Sequence, residues 1–291
     1  LNTPWRFFMV EVAALQRLSP SFLRMTFVGE ELNTFADNGF DQRIKVIVPL
    51  PGAGVAHLPT GEDWHQRWRA LPEHERNPIR TYTVRHVRPA VSEVDVDFVV
   101  HEGGTGPAAR WMESVTVGDK LALLGPNANH DGDHGGIDFH APAPGSAILL
   151  AGDETAVPAV AGILQRLDAG TQGEAVLEVP HAEDFLPIGA PPGVTVTWLA
   201  REGQPHGSLL FAAVKATAAR LLPQRTGEQV EDVDVDEQIL WEVDNTSRVW
   251  VAGEAAMVRA LRHLLITEHG VDRGSAAFLG YWRAGRAENN G

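Results

Sequence analysis

Hydrophobic periodicity changes character once along this chain of 291 residues, near residue 142, and that break calls for two separately built domains. Upstream, apolar residues recur at period two in short runs: Phe7–Ala13, Phe22–Val28, Ile44–Pro49, Thr81–Val87, Val94–Val100 and Lys120–Leu124. Val94, Val96, Phe98 and Val100 show the alternation most plainly. Five or six such strands parted by Gly and Pro turns predict a closed antiparallel barrel, which leaves no unpaired edge. Downstream, strands at Ala147–Ala151, Glu174–Val179, Val194–Leu199, Val249–Ala252 and Ala276–Tyr281 alternate with helical stretches at Glu154–Leu167, Gly207–Leu222 and Glu254–Glu268. That order predicts βα units on a parallel sheet. The segment Pro142–Gly145 reads as the linker, giving domains at 1–141 and 142–291. Ligands are expected between the domains or at the carboxyl ends of the sheet strands.

Several function classes are disfavoured at once. The chain has no cysteine, so thiol catalysis, disulfides and cysteine-ligated iron–sulfur clusters are excluded within it. Electron transfer would need a bound organic cofactor or an external partner. A formal charge of −14 argues against nucleic acid or an anionic membrane as default partner. No apolar run reaches the ~18 residues of a bilayer span. Residues 1–10 include Asn2, Pro4 and Arg6 and lack a long apolar stretch, so no secretory leader is expected. A soluble, cytoplasmic monomer is the resulting expectation, with no metal site of its own.

Polar interruptions carry less information. Residues 127–140 hold His130, Asp131, Asp133, His134, Asp138 and His140, but glycine-rich spacing fixes no ligand face, so a flexible solvated loop is predicted. Glu228–Glu237 reads as a solvent-facing acidic loop. Asp63–Leu71 is a predicted helix whose Trp64 and Trp68, four residues apart, are assigned to packing.

Chemistry concentrates at strand ends. In Arg80–Thr81–Tyr82–Thr83, alternation puts Arg80 and Tyr82 on one strand face and Thr81 and Thr83 on the other. An arginine there can clamp phosphate with two parallel bonds, although a barrel strand edged by one arginine is also an ordinary structural feature. His101 to Trp111 (HEGGTGPAARW) follows a strand and opens a helix. Its glycines admit close approach to a ligand, Pro107 suits a first helical turn, and free amides there attract anions. A plain glycine turn is the alternative. Gly152–Pro158 sits at a strand-to-helix turn, but Asp153 and Glu154 would repel a pyrophosphate and equally suit a helix cap. Gly253–Glu254–Ala255 occupies a similar turn later in the chain.

These motifs, in this order, resemble the siderophore-interacting proteins, a branch of the ferredoxin–NADP reductase-like flavoenzymes. The resemblance runs through Asp63–Val84, His101–Trp111, Gly152–Pro158, Trp198–Arg201, Val251–Ala255 and Gly280–Arg286. It implies a six-stranded antiparallel FAD-binding barrel followed by a parallel-sheet NAD(P)H-binding domain. By the same resemblance Arg80 would pair with FAD phosphate, Tyr82 would lie along the flavin, and Thr83 would bond near flavin N5. The last two would be the catalytic contacts. Gly104, Thr105, Gly106 and Ala108 would wrap the pyrophosphate, with His101 at the head of the same motif. Asp153 and Thr155 would lie on the nicotinamide side, Arg201 at the adenosine phosphate, and Tyr281 or Trp282 over the ring. Lys45, Arg259 and Arg262 would supply charge for the substrate, while Asn127–His130 stands where relatives are often basic.

The implied activity is reduction of a ferric siderophore or other ferric chelate, with electrons passing from NADPH or NADH through FAD and iron leaving as Fe(II). Ferredoxin is an alternative donor. A general NAD(P)H:flavin or quinone reductase, or a flavin-binding sensor without turnover, are the competing readings.

Overall fold

The computed structural model describes residues 2–100, 106–222, 227–235, 238–243 and 246–285. Its described residues divide into two compact units, one built from residues 2–18 and 22–136, the other from residues 19–21 and 137–285. The first unit is the barrel. Its strands are β1 (Trp5–Ser19), β2 (Phe22–Val28), β3 (Arg43–Ile47), β4 (Ile79–Arg88), β5 (Glu93–Val99) and β6 (Lys120–Pro126). They close in the order β1-β2-β5-β4-β3-β6. Closure comes from antiparallel pairing of β1 with β6, Trp5 opposite Pro126 through Glu11 opposite Lys120.

Alternation on β5 explains the barrel wall. Val94, Val96 and Phe98 are fully buried in the interior with Val12, Phe27, Ile44 and Val46. Between them, Asp95 and Asp97 are also nearly buried, and each needs partners. Arg24 meets Asp97 through two bonds of 2.7 and 2.8 Å, and Arg88 does the same for Asp95 at 2.7 Å twice. Burial opposes ionisation of Asp95, but hydrogen bonds from Arg88, His86 and Thr26 outweigh it and hold the carboxyl well below the usual range.

Between β3 and β4 the chain makes an excursion through α1 (Trp64–Ala70). Trp68 is buried against Ile47, Ile79 and Leu124, and Trp64 meets Phe7 edge-on at 5.0 Å, so both indoles pack. Asn77 locks the excursion down. Fully buried, it donates to Val48 O and Gly54 O at 3.0 and 2.8 Å while its own carbonyl accepts from Trp68 Nε1 at 2.9 Å. Asn77→Ala takes this donor from Val48 O and one of two donors from Gly54 O, which keeps Leu50 N, and should cost about 1–2 kcal/mol, read as a lower denaturation midpoint at unchanged slope.

The second unit contains β7 (Ala147–Gly152), α3 (Val157–Arg166), β8 (Gln172–Val179), β9 (Gly193–Ala200), α4 (Ser208–Leu221), β10 (Trp241–Glu242), β11 (Val249–Glu254), α5 (Ala255–His263) and β12 (Ala276–Trp282). The sheet order is β10-β12-β11-β7-β8-β9. β7, β8, β9, β11 and β12 run parallel, and β7 and β11 are almost wholly buried, as strands covered on both faces must be. The chain steps outward from β7 to β9 and returns on the other side at β11, so a topological switch point lies between β7 and β11.

Three details correct the expectations. The sheet is mixed, because β10 pairs antiparallel with β12, and Trp241 stacks on Tyr281 at 5.8 Å. The helix expected to Glu268 ends its α-turns at His263 and widens to a π-turn over Leu264–Glu268. Residues 127–140 lack regular structure yet are tied down: Asn127 Nδ2 donates to Thr3 O, Arg43 N to Gly136 O, and Trp5 Nε1 to His134 O. Phe139 and Asp138 are buried. Main-chain acceptors, invisible to composition, hold this segment. No helix among the described residues is long and apolar enough to cross a membrane.

Candidate functional site

On the barrel, register decides which side chains share a face. Arg80 lies opposite Val46, Thr81 opposite Lys45, Tyr82 opposite Ile44 and Thr83 opposite Arg43. Ile44 and Val46 belong to the barrel interior and Tyr82 packs against it, so Arg80 and Tyr82 share that strand face. Lys45 is on the other face, where Nζ donates to Thr81 Oγ1 at 2.7 Å. Thr83 is buried. Arg80, half-buried, donates from one guanidinium nitrogen to Ile79 O at 2.8 Å.

A relay of rings joins β4 to the helix α2 (Pro107–Ser114). Tyr82 lies 4.3 Å from Phe98, and Phe98 lies 6.1 Å from Trp111 on α2. The start of α2 is built for an anion. Gly106 is the N-cap, no side chain caps the turn, Pro107 occupies the first positions, and the first turn contains no acid. Among the described residues, a Cβ placed on Gly106 would meet nothing within 4 Å, and Trp111 Nε1 is buried without a hydrogen-bond partner. His101, Gly104 and Thr105 lie outside the described residues.

The second unit gathers charge at the carboxyl ends of its strands. Asp153, directly after β7, is fully buried and accepts from Thr155 N (2.9 Å), Thr155 Oγ1 (2.5 Å), Glu254 N (2.8 Å) and Trp282 Nε1 (2.9 Å). His206 Nε2 stands 3.2 Å from its Oδ2. Burial resists the charge on Asp153, but His206, Thr155 and Trp282 prevail and lower its pKa. Burial likewise works against the imidazolium of His206, and Asp153 overcomes it, raising the pKa above the ordinary 6.5. Gly253 makes the approach possible: its φ is +141°, and a Cβ there would fall 2.6 Å from the Asp153 carboxylate.

One strand further out, Arg201 grips Glu154 through two bonds of 2.8 Å and reaches Glu178 at 3.4 Å. Glu178 is fully buried and accepts from Gly207 N and Leu210 N at the head of α4. Asp153, Glu154 and His206 are the single trio of His, Asp or Glu groups within metal-ligand reach among the described residues, and their mutual ion pairs account for the closeness.

Sequence comparison decides the family. Residues 11–130 match the siderophore-interacting FAD-binding domain, and residues 145–285 match the siderophore-interacting protein family. The chain belongs to the siderophore-interacting proteins. It is 32% identical to the ferric vibriobactin reductase of Vibrio cholerae over 271 residues, 93% of this chain and 87% of that one. Identity to the NADPH-dependent ferric-chelate reductase of Escherichia coli is 27% over 290 residues, 96% and 94% of the two chains. Among solved structures, a siderophore utilization protein from T. fusca superposes with a TM-score of 0.73 at 28% identity, covering 99% and 96%. Ferredoxin-NADP+ reductase from Plasmodium falciparum shares the fold, with a TM-score of 0.58 at 9% identity.

FAD fits what the barrel offers this siderophore-interacting protein. A helix start that has Gly106 as its N-cap and no side-chain cap among the described residues suits a diphosphate, and the rings from Tyr82 to Trp111 connect the helix to the strand of Arg80. Gly106 is the N-cap of that helix and Ala108 lies in its first turn. Several other expected contacts have different employment. Asp153 and Thr155 cap their own turn, and the Asp153 carboxylate has no exposed face for a cofactor. Trp282 is tied to Asp153, and Tyr281 stacks on Trp241.

Arg262 corrects the substrate-binding expectation. It is 3% exposed, clamps Glu242 at 2.8 and 2.7 Å, and donates to Glu231 O at 3.1 Å. Arg259 sits 3.8 Å from Asp232. Both fasten α5 to the acidic segment, Arg262 through Glu231 O and Arg259 through Val233 O and Asp232. Sequence reading did not single out His206 or Glu178. Glu178 was detectable as an acid between the apolar Leu177 and Val179 of the strand expected at Glu174–Val179, where an uncompensated charge would be costly. Nothing local marked His206, because its partner lies 53 positions earlier.

Proposed function

We propose that this protein is an FAD-dependent reductase carrying electrons from a reduced nicotinamide nucleotide to a ferric siderophore, which then releases Fe(II). The observation that carries the reading is the Tyr82–Phe98–Trp111 series of ring contacts, which joins the strand of Arg80 to the helix α2 that Gly106 and Pro107 open. Arg80 would clamp phosphate, the α2 amides would take the pyrophosphate, and Tyr82 would present its ring to the flavin, with the Thr83 hydroxyl near N5. FAD, when bound, supplies the exchange between two-electron hydride chemistry and one-electron transfer to iron. Hard oxygen ligands hold Fe(II) less tightly than Fe(III), so electron transfer alone frees the metal and no general acid is needed. The printed activities of the Vibrio and Escherichia relatives support the same assignment. The donor is a cytoplasmic metabolite, and cytoplasmic action by a monomer belongs to the proposal.

Rapid mixing without oxygen tests it. The bound flavin should bleach with NADH or NADPH and recover its colour on addition of ferric hydroxamate, catecholate or citrate. Full flavin occupancy with no bleaching by either nucleotide would instead support a sensor or a ferredoxin-fed enzyme.

A further inference from the structure

The unexplained feature of the second unit is an arginine at the nucleotide-binding end of a sheet that is already fully engaged by carboxylates. In doubly wound sheets nucleotides bind at the carboxyl ends of the strands around the switch point, and a nearby arginine accommodates a 2′-phosphate. Arg201 follows β9 and is the guanidinium expected at the adenosine end. Its side chain is only 11% exposed, and both terminal nitrogens hold Glu154. Glu154 and Glu178 are 2% and 0% exposed, so neither can swing aside to release it. The next residue, Glu202, adds an exposed carboxylate that accepts from Ala182 N at 2.9 Å. His206, the other cation here, faces Asp153 at 3.2 Å and Glu154 at 4.0 Å. Three carboxylates, Asp153, Glu154 and Glu178, thus face Arg201 and His206, while Glu202 lies 3.6 Å from His181. Arg283 follows β12, on the other side of the switch point.

We propose that Glu154, by holding Arg201, sets the electron-donor preference of this protein toward NADH, the nucleotide that lacks a 2′-phosphate. The inference rests on the reductase reading and names the donor for it. A 2′-phosphate would bring close to two negative charges beside buried carboxylates and would have to win Arg201 from a bidentate partner. A ribose bearing only hydroxyls meets no such repulsion and can donate to a carboxylate instead. The Escherichia relative, by its printed name, is NADPH-dependent.

The test compares donors on the holoprotein. Oxygen-free rapid mixing should give apparent affinity for NADH about tenfold or more above that for NADPH, with the gap narrowing as salt rises. Glu154→Gln keeps the shape and removes the charge, and should narrow the gap about tenfold, with NADPH gaining more than NADH. Glu202→Gln, at an exposed position that folding tolerates, should shift the ratio the same way by about twofold. Calorimetric titration with AMP and with 2′-phospho-AMP reads the same preference without turnover, and AMP should bind more tightly.

NADPH serving as well as NADH in the unaltered protein overturns the proposal. So does a Glu154→Gln variant that weakens or strengthens both donors equally, which is what a merely structural role would produce. If neither donor bleaches the flavin, the reductase reading fails on its own, and the two adenosine phosphates decide the preference. Equal binding, tighter 2′-phospho-AMP, or no binding of either refutes it.

Discussion

Arg80→Ala should purify as a folded but nearly colourless protein, with affinity for added FAD lower by about two orders of magnitude or more. Removing one partner of a well-formed guanidinium–phosphate pair costs about 2–4 kcal/mol, or roughly 30- to 1000-fold in affinity. The half-buried Arg80 donates to its neighbour Ile79 O. Thermal midpoints of apoprotein and variant, compared without FAD, separate lost binding from lost stability. Arg80→Lys keeps a charge but not the fork, and should fall between the two. Visible absorbance per polypeptide, followed by calorimetric titration of the apoprotein with FAD, gives the answer. A variant that retains its full complement of flavin would remove Arg80 from the site.

Asp153→Ala should produce the largest loss of stability of any single change considered, about 3–5 kcal/mol, with a thermal midpoint lower by roughly 6–20 °C. The substitution strands the Glu254 amide, the Trp282 indole, the Thr155 amide and hydroxyl, and the His206 imidazolium at once. The pair also imposes a pH window. Asp153 has a folded pKa below its unfolded value, so its stabilisation is present above the ordinary carboxylate range and is lost as pH falls through the folded value. His206 has a folded pKa raised above 6.5, so its contribution is complete below 6.5 and disappears as pH climbs through the folded value. Midpoints measured across pH should therefore decline on the alkaline side. His206→Asn should flatten that limb, and an unchanged slope in this variant would show that the imidazole plays no part.

Much of this architecture was legible in the residues because the barrel interior imposes a strict alternation. Phe22–Val28 is found as expected to the residue, and Val94, Val96 and Phe98 all face inward. The βα half was readable for a different reason: strands buried on both faces become short apolar blocks such as Ala147–Gly152. β10 escaped because two residues carry no period and its place is fixed by the stacking of Trp241 on Tyr281, 40 positions away in sequence. The site was readable only on the barrel side, where Arg80 and the glycine turn before α2 are local signals. At the sheet crest each charge is assigned by a partner from another strand. Hence Arg201 and Arg262 looked available from sequence, whereas Glu154 and Glu242 engage them in the fold.

The Asp153 knot has a practical consequence for genetics. A saturation screen for lost iron reduction would return Asp153, Thr155, Gly253 and Trp282 among its strongest hits, and a map of those hits would outline a plausible nucleotide pocket. That outline would trace a structural keystone instead. Hits of this kind should vanish from soluble lysate at elevated growth temperature and be rescued by cooling, while a variant at a cofactor contact of the kind proposed for Arg80 should stay abundant and pale at every temperature.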